Sequence, residues 1–154
     1  MHRVQCTGWT AAQGRLHTSL RQPREVITPR LIQAINNPHV DAIGHPTGGL
    51  LPDRDSSDLD MEAIFAAAAQ RGVALEINAN PSRLDLDDIH SRRAVELGIK
   101  LTINRDAHIP EDVGLLEFGV ATARRGWVEA GSVINTWSSP ALLDWLQRSR
   151  EKVR

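Results

Sequence analysis

The sequence predicts an α/β fold built from parallel βα units, and three observations predict it. Short apolar runs without strict alternation recur at 40–43, 73–77 and 99–103, as expected of strands covered by helices. Each run is followed by a segment carrying helix start and stop signals. The runs are spaced by roughly 25 to 35 residues, which suits right-handed crossovers between parallel strands. This pattern does not separate an open sheet from part of a barrel. In either architecture, ligands bind beyond the carboxyl ends of the strands.

Taken in order, residues 1–16 show neither a period of two nor one of 3.6 and read as irregular. A short strand ending at His17 has only Gly14 and Arg15 to build from. The first helix has Thr28 as N-cap and Pro29 at its first position, with Leu31, Ile32 and Ile35 on one face and Asn37-Pro38 ending it. The strand at 40–43 runs into the glycine-rich loop 44–49. A polar, aspartate-rich loop at 52–58 precedes a helix over 60–71, capped by Asp60 and stopped by Gly72. The strand at 73–77 closes on Asn78-Ala79-Asn80-Pro81. A helix over 86–97 stops at Gly98, and the strand at 99–103 leads to Asn104-Arg105-Asp106-Ala107-His108. The rest reads as helical: 110–124, a shorter piece near 129–135, and a last helix opening at Ser139-Pro140.

Composition excludes several classes. At 154 residues, 41% hydrophobic and 24% charged, the chain suits one ordinary globular domain. A formal net charge of -1 gives no global attraction to nucleic acid or anionic membrane, so any such contact needs a local patch. The single cysteine, Cys6, excludes an intrachain disulfide and a cysteine zinc cluster, and it suits a cytoplasmic location. No apolar run approaches a membrane span, and the first 14 residues lack a signal-peptide core.

The chemistry-bearing residues gather at the expected strand ends: His45, Asn78, Asn80, Asp106 and His108. A carboxylate and an imidazole two residues apart after a strand can face one ion, and mixed oxygen and nitrogen donors suit zinc, manganese or iron. Equally, Asp106 can cap the next helix and His108 can be a solvated loop residue. His45 is either a ligand or a histidine bonded to a loop carbonyl, while His17, His39 and His90 read as surface residues. Glu76, inside a strand, needs a partner such as an arginine if it is buried. Asn78 and Asn80 either orient ligands or form the turn before Pro81. Arg21, Arg24 and Arg30, and later Arg124 and Arg125, suit phosphate contacts or solvated faces. Trp127, Trp137 and Trp145 read as core or interface packing rather than as base-stacking platforms.

These residues also carry a resemblance. Arg21-Gln22-Pro23-Arg24-Glu25, Asn37-Pro38-His39-Val40-Asp41, Ile43-Gly44-His45-Pro46-Thr47-Gly48, Leu75-Glu76-Ile77-Asn78-Ala79-Asn80-Pro81, Asp106-Ala107-His108 and Thr122-Ala123-Arg124-Arg125-Gly126-Trp127 resemble, in order, the PHP domain attached to bacterial family-X DNA polymerases. Histidinol-phosphate phosphatases share the Asp-x-His ending but resemble the chain less between motifs. The resemblance implies roughly half of a distorted (β/α)7 PHP barrel, with residues 17–154 as its C-terminal part. It implies a metal-dependent phosphoesterase or 3′-5′ exonuclease. His17, His45, Asp106 and His108 match metal ligands for manganese, zinc or iron; Asp106 and His108 would be catalytic, and Arg24 and Arg124 would bind substrate phosphate.

Single-stranded or 3′-end DNA is the implied partner, with no membrane. The family's opening His-x-His and its next histidine and glutamate belong upstream of His17. Thr18 and Arg105 replace the family's usual serine and threonine. The expectation is therefore a truncated copy, completed by an upstream fragment or a homo-oligomer. The alternatives are a non-catalytic remnant or interaction module, and a histidinol-phosphate-type phosphatase.

Overall fold

The computed structural model describes residues 13–15, 18–105 and 114–151, the last three as backbone only. Four parallel strands, β1 (Gln13–Arg15), β2 (Ala42–Gly44), β3 (Ala74–Asn78) and β4 (Leu101–Asn104), lie side by side in chain order. The register pairs Gln13 with Ala42, Ala42 with Ala74, and Leu75 with Leu101. Sequential order without reversal is the arrangement along an arc of a βα barrel, not that of a doubly wound sheet. The predicted α/β class holds.

β1 corrects the irregular reading of residues 1–16 at Gln13–Arg15. A Gln-Gly-Arg triplet has no apolar pattern to read; only its pairing with β2 makes it a strand.

α1 (Arg24–Ile35) starts earlier than expected, from Pro23, with Pro29 inside it. Thr28 does not cap its own helix: its hydroxyl accepts the Asp60 backbone N–H at 3.0 Å, tying α1 to the start of α2. Pro29 is tolerated because the carbonyl it leaves without a helical donor, that of Glu25, belongs to the exposed first turn. Ile27, Leu31 and Ile35, four residues apart, form the buried stripe.

α2 (Met61–Arg71) follows its signals closely. Asp60 accepts the Ala63 N–H at 3.0 Å, and Gly72 ends the helix in the left-handed conformation at φ 71°. α3 (Asp88–Glu96) is capped by Asp87, which accepts the His90 N–H at 2.8 Å. α4 (Leu116–Arg125) lies against α3, β3 and β4. The expected piece near 129–135 is two short 3-10 turns, Ala130–Ser132 and Ile134–Thr136. They cover the free edge of β4, where Val133 bridges Leu101 and the Asn135 side-chain Oδ1 accepts the Ile103 N–H at 2.8 Å. α5 (Ser139–Glu151) closes the described chain.

The main core joins Ile43, Leu75, Ile77 and Leu101 of the sheet to Ile27, Leu31, Ile64 and Phe65 of the helices. A smaller core lies on the opposite face of the sheet, where Ala42, Ala74 and Ile134 pack with Trp137, Leu142 and Trp145. Trp137 and Trp145 meet edge to face at 6.2 Å, so the packing role expected of both holds. Among the described residues no helix is long and apolar enough to cross a membrane.

Candidate functional site

The inner face of the sheet turns polar toward its carboxyl edge, and its centre is Glu76. Successive strand residues alternate faces, so Glu76 and Asn78 share the side of Ala74, opposite Leu75 and Ile77. Glu76 is fully buried. Its carboxylate accepts from Gln13 Nε2 at 2.9 Å, the His45 backbone N–H at 2.7 Å, Asn104 Nδ2 at 2.9 Å and Asn78 Nδ2 at 3.4 Å. Those donors come from, or directly follow, all four strands. The expected arginine is replaced here by a shell of amide donors, which satisfies the carboxylate's lone pairs without a second buried charge. Gly44 makes the shell possible: a Cβ there would stand 2.6 Å from Gln13 Nε2, blocking the path of that side chain to Glu76.

His45 follows β2 directly at the carboxyl end of the sheet, as predicted. It is buried to 2% exposure and takes a left-handed backbone at φ 32°, uncommon for a residue with a side chain. Burial lowers its pKa most, with the cations of Arg83 and Arg15 acting in the same direction and Glu76 against them. The ring is thus held in its neutral form, the form that ligates a metal or accepts a proton.

Asp85 fixes the rest of this loop, and sequence reading gave it no role. Buried to 3%, it accepts the Thr47 N–H at 2.9 Å and the Gly48 N–H at 2.9 Å. Burial pushes its pKa up to about 7, although those hydrogen bonds favour the ionised form. Nothing in the apolar periodicity marks Asp85. The local signals are Leu84-Asp85-Leu86, which shares the family resemblance of its neighbouring segments, and a run of acids at 85, 87 and 88, of which Asp87 is the helix cap.

Beside the loop lies a cleft of about 230 Å³, lined among others by Thr47, Ser57, Asp58, Arg83, Asp85 and His90. His90 corrects the reading of an exposed helix face. It is half-buried, its Nδ1 lies 2.9 Å from Asp87 Oδ2, and its ring stands 6.2 Å from that of Phe65. The Asp87 hydrogen bond is the main cause of its raised pKa.

Arg24 stands at the cleft edge but is paired with Asp58, its Nε 2.9 Å from Oδ1. Arg124 is exposed on α4 and is not part of the cleft lining. Arg21 is exposed, and Arg30 is tied to Gln22. Asn78 and Asn80 do form the turn: Asn78 Oδ1 accepts the Asn80 N–H and Asn80 Oδ1 the Ser82 N–H, both at 3.0 Å. Asn78 also serves the Glu76 shell. His39 is exposed. Of the proposed metal ligands, His17, Asp106 and His108 lie outside the described residues. Among the described residues no three His, Cys, Asp or Glu side chains form a metal cage. Among the described residues, His45 supplies a buried neutral donor at this edge, which suits one ligand of such a site.

Fold and site together define a partial βα barrel with a polar, hydrogen-bonded rim at its carboxyl edge. Its relatives are bacterial enzymes. The chain is 42% identical over 134 residues to the DNA polymerase/3′-5′ exonuclease PolX of Bacillus subtilis, across 87% of this chain and 24% of that protein. It is 29% identical to a probable phosphatase of Thermoanaerobacter sp. (strain X514), across 90% of this chain and 57% of that one. A probable phosphatase of Caldanaerobacter subterraneus is 31% identical across 90% of this chain and 55% of its own length. The chain therefore spans between about a quarter and somewhat over half of these relatives. No family model matches it.

Proposed function

We propose that the chain is the C-terminal part of a PHP-type metal-dependent phosphoesterase, of the kind found beside bacterial family-X polymerases, acting on DNA 3′ ends. The observation that carries this reading is His45: a buried, neutral imidazole on a strained turn, fixed by Glu76 at the ligand-binding edge of the sheet. The likeness to a 3′-5′ exonuclease and to probable phosphatases adds the reaction class.

His45 would share a divalent manganese, zinc or iron ion with His17, Asp106 and His108, the last two being the proposed catalytic pair. Such an ion supplies a Lewis acid and an activated water. The chain's own part is placement. Glu76 holds the His45 backbone, Asp85 holds the two N–H groups that follow, and Arg24 at the cleft edge would meet a phosphate on release from Asp58. Arg124 would contact the phosphate backbone farther out. The single cysteine fits a cytoplasmic enzyme.

The test is hydrolysis of 5′-labelled single-stranded DNA and of bis(p-nitrophenyl) phosphate with manganese, zinc or iron. Wild type should cleave both, and His45→Ala should lose at least tenfold in rate. Inactivity with all three metals would overturn the reading. Cleavage of a phosphomonoester alone would favour the histidinol-phosphate type instead. A second reading has its own observation: β1 lies at the edge of the sheet among the described residues. An upstream fragment or a second copy would then complete the barrel, and sedimentation would show the assembly.

A further inference from the structure

The packing role expected of Trp127 does not hold: its side chain is 77% exposed. Its backbone sits in the left-handed region at φ 56°, the position where helices ordinarily place glycine. The Trp127 N–H donates to the Arg124 carbonyl at 3.1 Å and the Val128 N–H to the Ala123 carbonyl at 2.9 Å, so the helix end is well formed. A bulky aromatic there is strained, and burial of the ring does not offset the strain. The preceding residue explains how the strain is held. Gly126 rests against α3 so closely that a Cβ would stand 2.6 Å from the Asp88 carbonyl oxygen, and Arg125 reaches Asp88 Oδ2 at 2.9 Å. The segment is pinned, and the indole is presented outward.

Its location bears on what it meets. Asp88 adjoins Asp87, and Asp87 and His90 both line the cleft. Ile89, between them, is 75% exposed. Arg124, three residues before the indole, enters no ion pair among the described residues, while Arg92 and Arg125 are exposed cations paired with Glu96 and Asp88. A flat aromatic face with a cation beside it suits a nucleobase and its phosphate, and stacking tolerates any base.

We propose that Trp127, with Arg124 three residues before it, is a base-stacking subsite that holds single-stranded nucleic acid. The proposal takes its substrate class from the phosphoesterase reading, and its binding test does not depend on turnover.

The full chain, in EDTA, is titrated with oligothymidylate while tryptophan fluorescence is followed, in wild type, Trp127→Phe, Trp127→Gly and Arg124→Gln. Wild type should show saturable quenching. Trp127→Phe should bind within about threefold of wild type, whereas Trp127→Gly should bind about tenfold more weakly by anisotropy of a labelled oligonucleotide. Because glycine suits the left-handed backbone, Trp127→Gly should also melt at a higher temperature, which separates lost binding from lost folding. Arg124→Gln should flatten the salt dependence.

Absence of binding in wild type, or equal affinity in Trp127→Gly, overturns the subsite. So does a dimer that Trp127→Gly dissociates without changing oligonucleotide affinity, since the patch is then an interface between copies. Trp127-dependent binding without hydrolysis of any phosphoester keeps the subsite and overturns the phosphoesterase reading. Hydrolysis of bis(p-nitrophenyl) phosphate without such binding does the reverse.

Discussion

Leu75 and Ile77 pass from β3 into the helices, while Glu76 and Asn78, their immediate neighbours, serve the opposite face of the same strand. All four are fully buried. The outer face is stabilised by area removed from water, which is non-directional and tolerates exchange among apolar residues of similar volume. The inner face is stabilised by directional bonds around one carboxylate, and there each partner is specified by its neighbours. The outer face therefore fixes the fold, and the inner face fixes where His45 stands.

The largest expected effect breaks this contrast at adjacent residues. Glu76→Leu leaves the Gln13, Asn78 and Asn104 amides and the His45 N–H without their acceptor. It should cost about 3–5 kcal/mol in urea unfolding, as loss of one member of a buried polar network does. Leu75→Ala should cost about 3 kcal/mol through its cavity. The two should differ in kind, because Leu75→Met should recover most of the loss whereas Glu76→Gln should not. An amide in place of the carboxylate would put a donor against donors. Full stability in Glu76→Gln would show that the carboxylate shell is ordinary packing.

Asp85 sharpens the comparison through pH. Its folded pKa is raised from the usual carboxylate range to about 7, so the protonated form stabilises the folded state. That contribution is complete below about pH 4 and is lost as pH rises through about 7. Wild type should therefore lose a few kcal/mol over that window from this group, and Asp85→Asn should flatten the slope. A slope of the same size in Asp85→Asn would assign the effect elsewhere. On the outer side the smallest effect is expected at a helix cap: Asp60→Ala removes one bond to the Ala63 N–H, about 1 kcal/mol in the same measurement.

Legibility followed the same division. The runs at 73–77 and 99–103 are readable because β-branched and aliphatic residues dominate each short run between turn signals, and both are strands within two residues of those bounds. Asp60 and Gly72 were readable because capping is local chemistry. Thr28 departs from its expected capping role because the same hydroxyl that can cap its own helix can serve another chain segment, here Asp60. The burial of Asp85 has no local mark, because its partners, the Thr47 and Gly48 N–H groups, lie 38 and 37 positions away. Trp127 departs from its expected packing role because exposure is a property of what the fold leaves uncovered, and no residue type encodes that.

The sequence by itself determined the alternation of strands and helices, the stops between them, and the edge at which His45 would stand. Each depends on residues close along the chain, through period, capping and turn preference. The tertiary structure alone decided that Gln13–Arg15 is a strand, that Glu76 is held by amides from neighbouring strands, and that Asp85 holds the two N–H groups that follow His45 in its loop. Those contacts join residues tens of positions apart, and their energies exist only once the strands have paired.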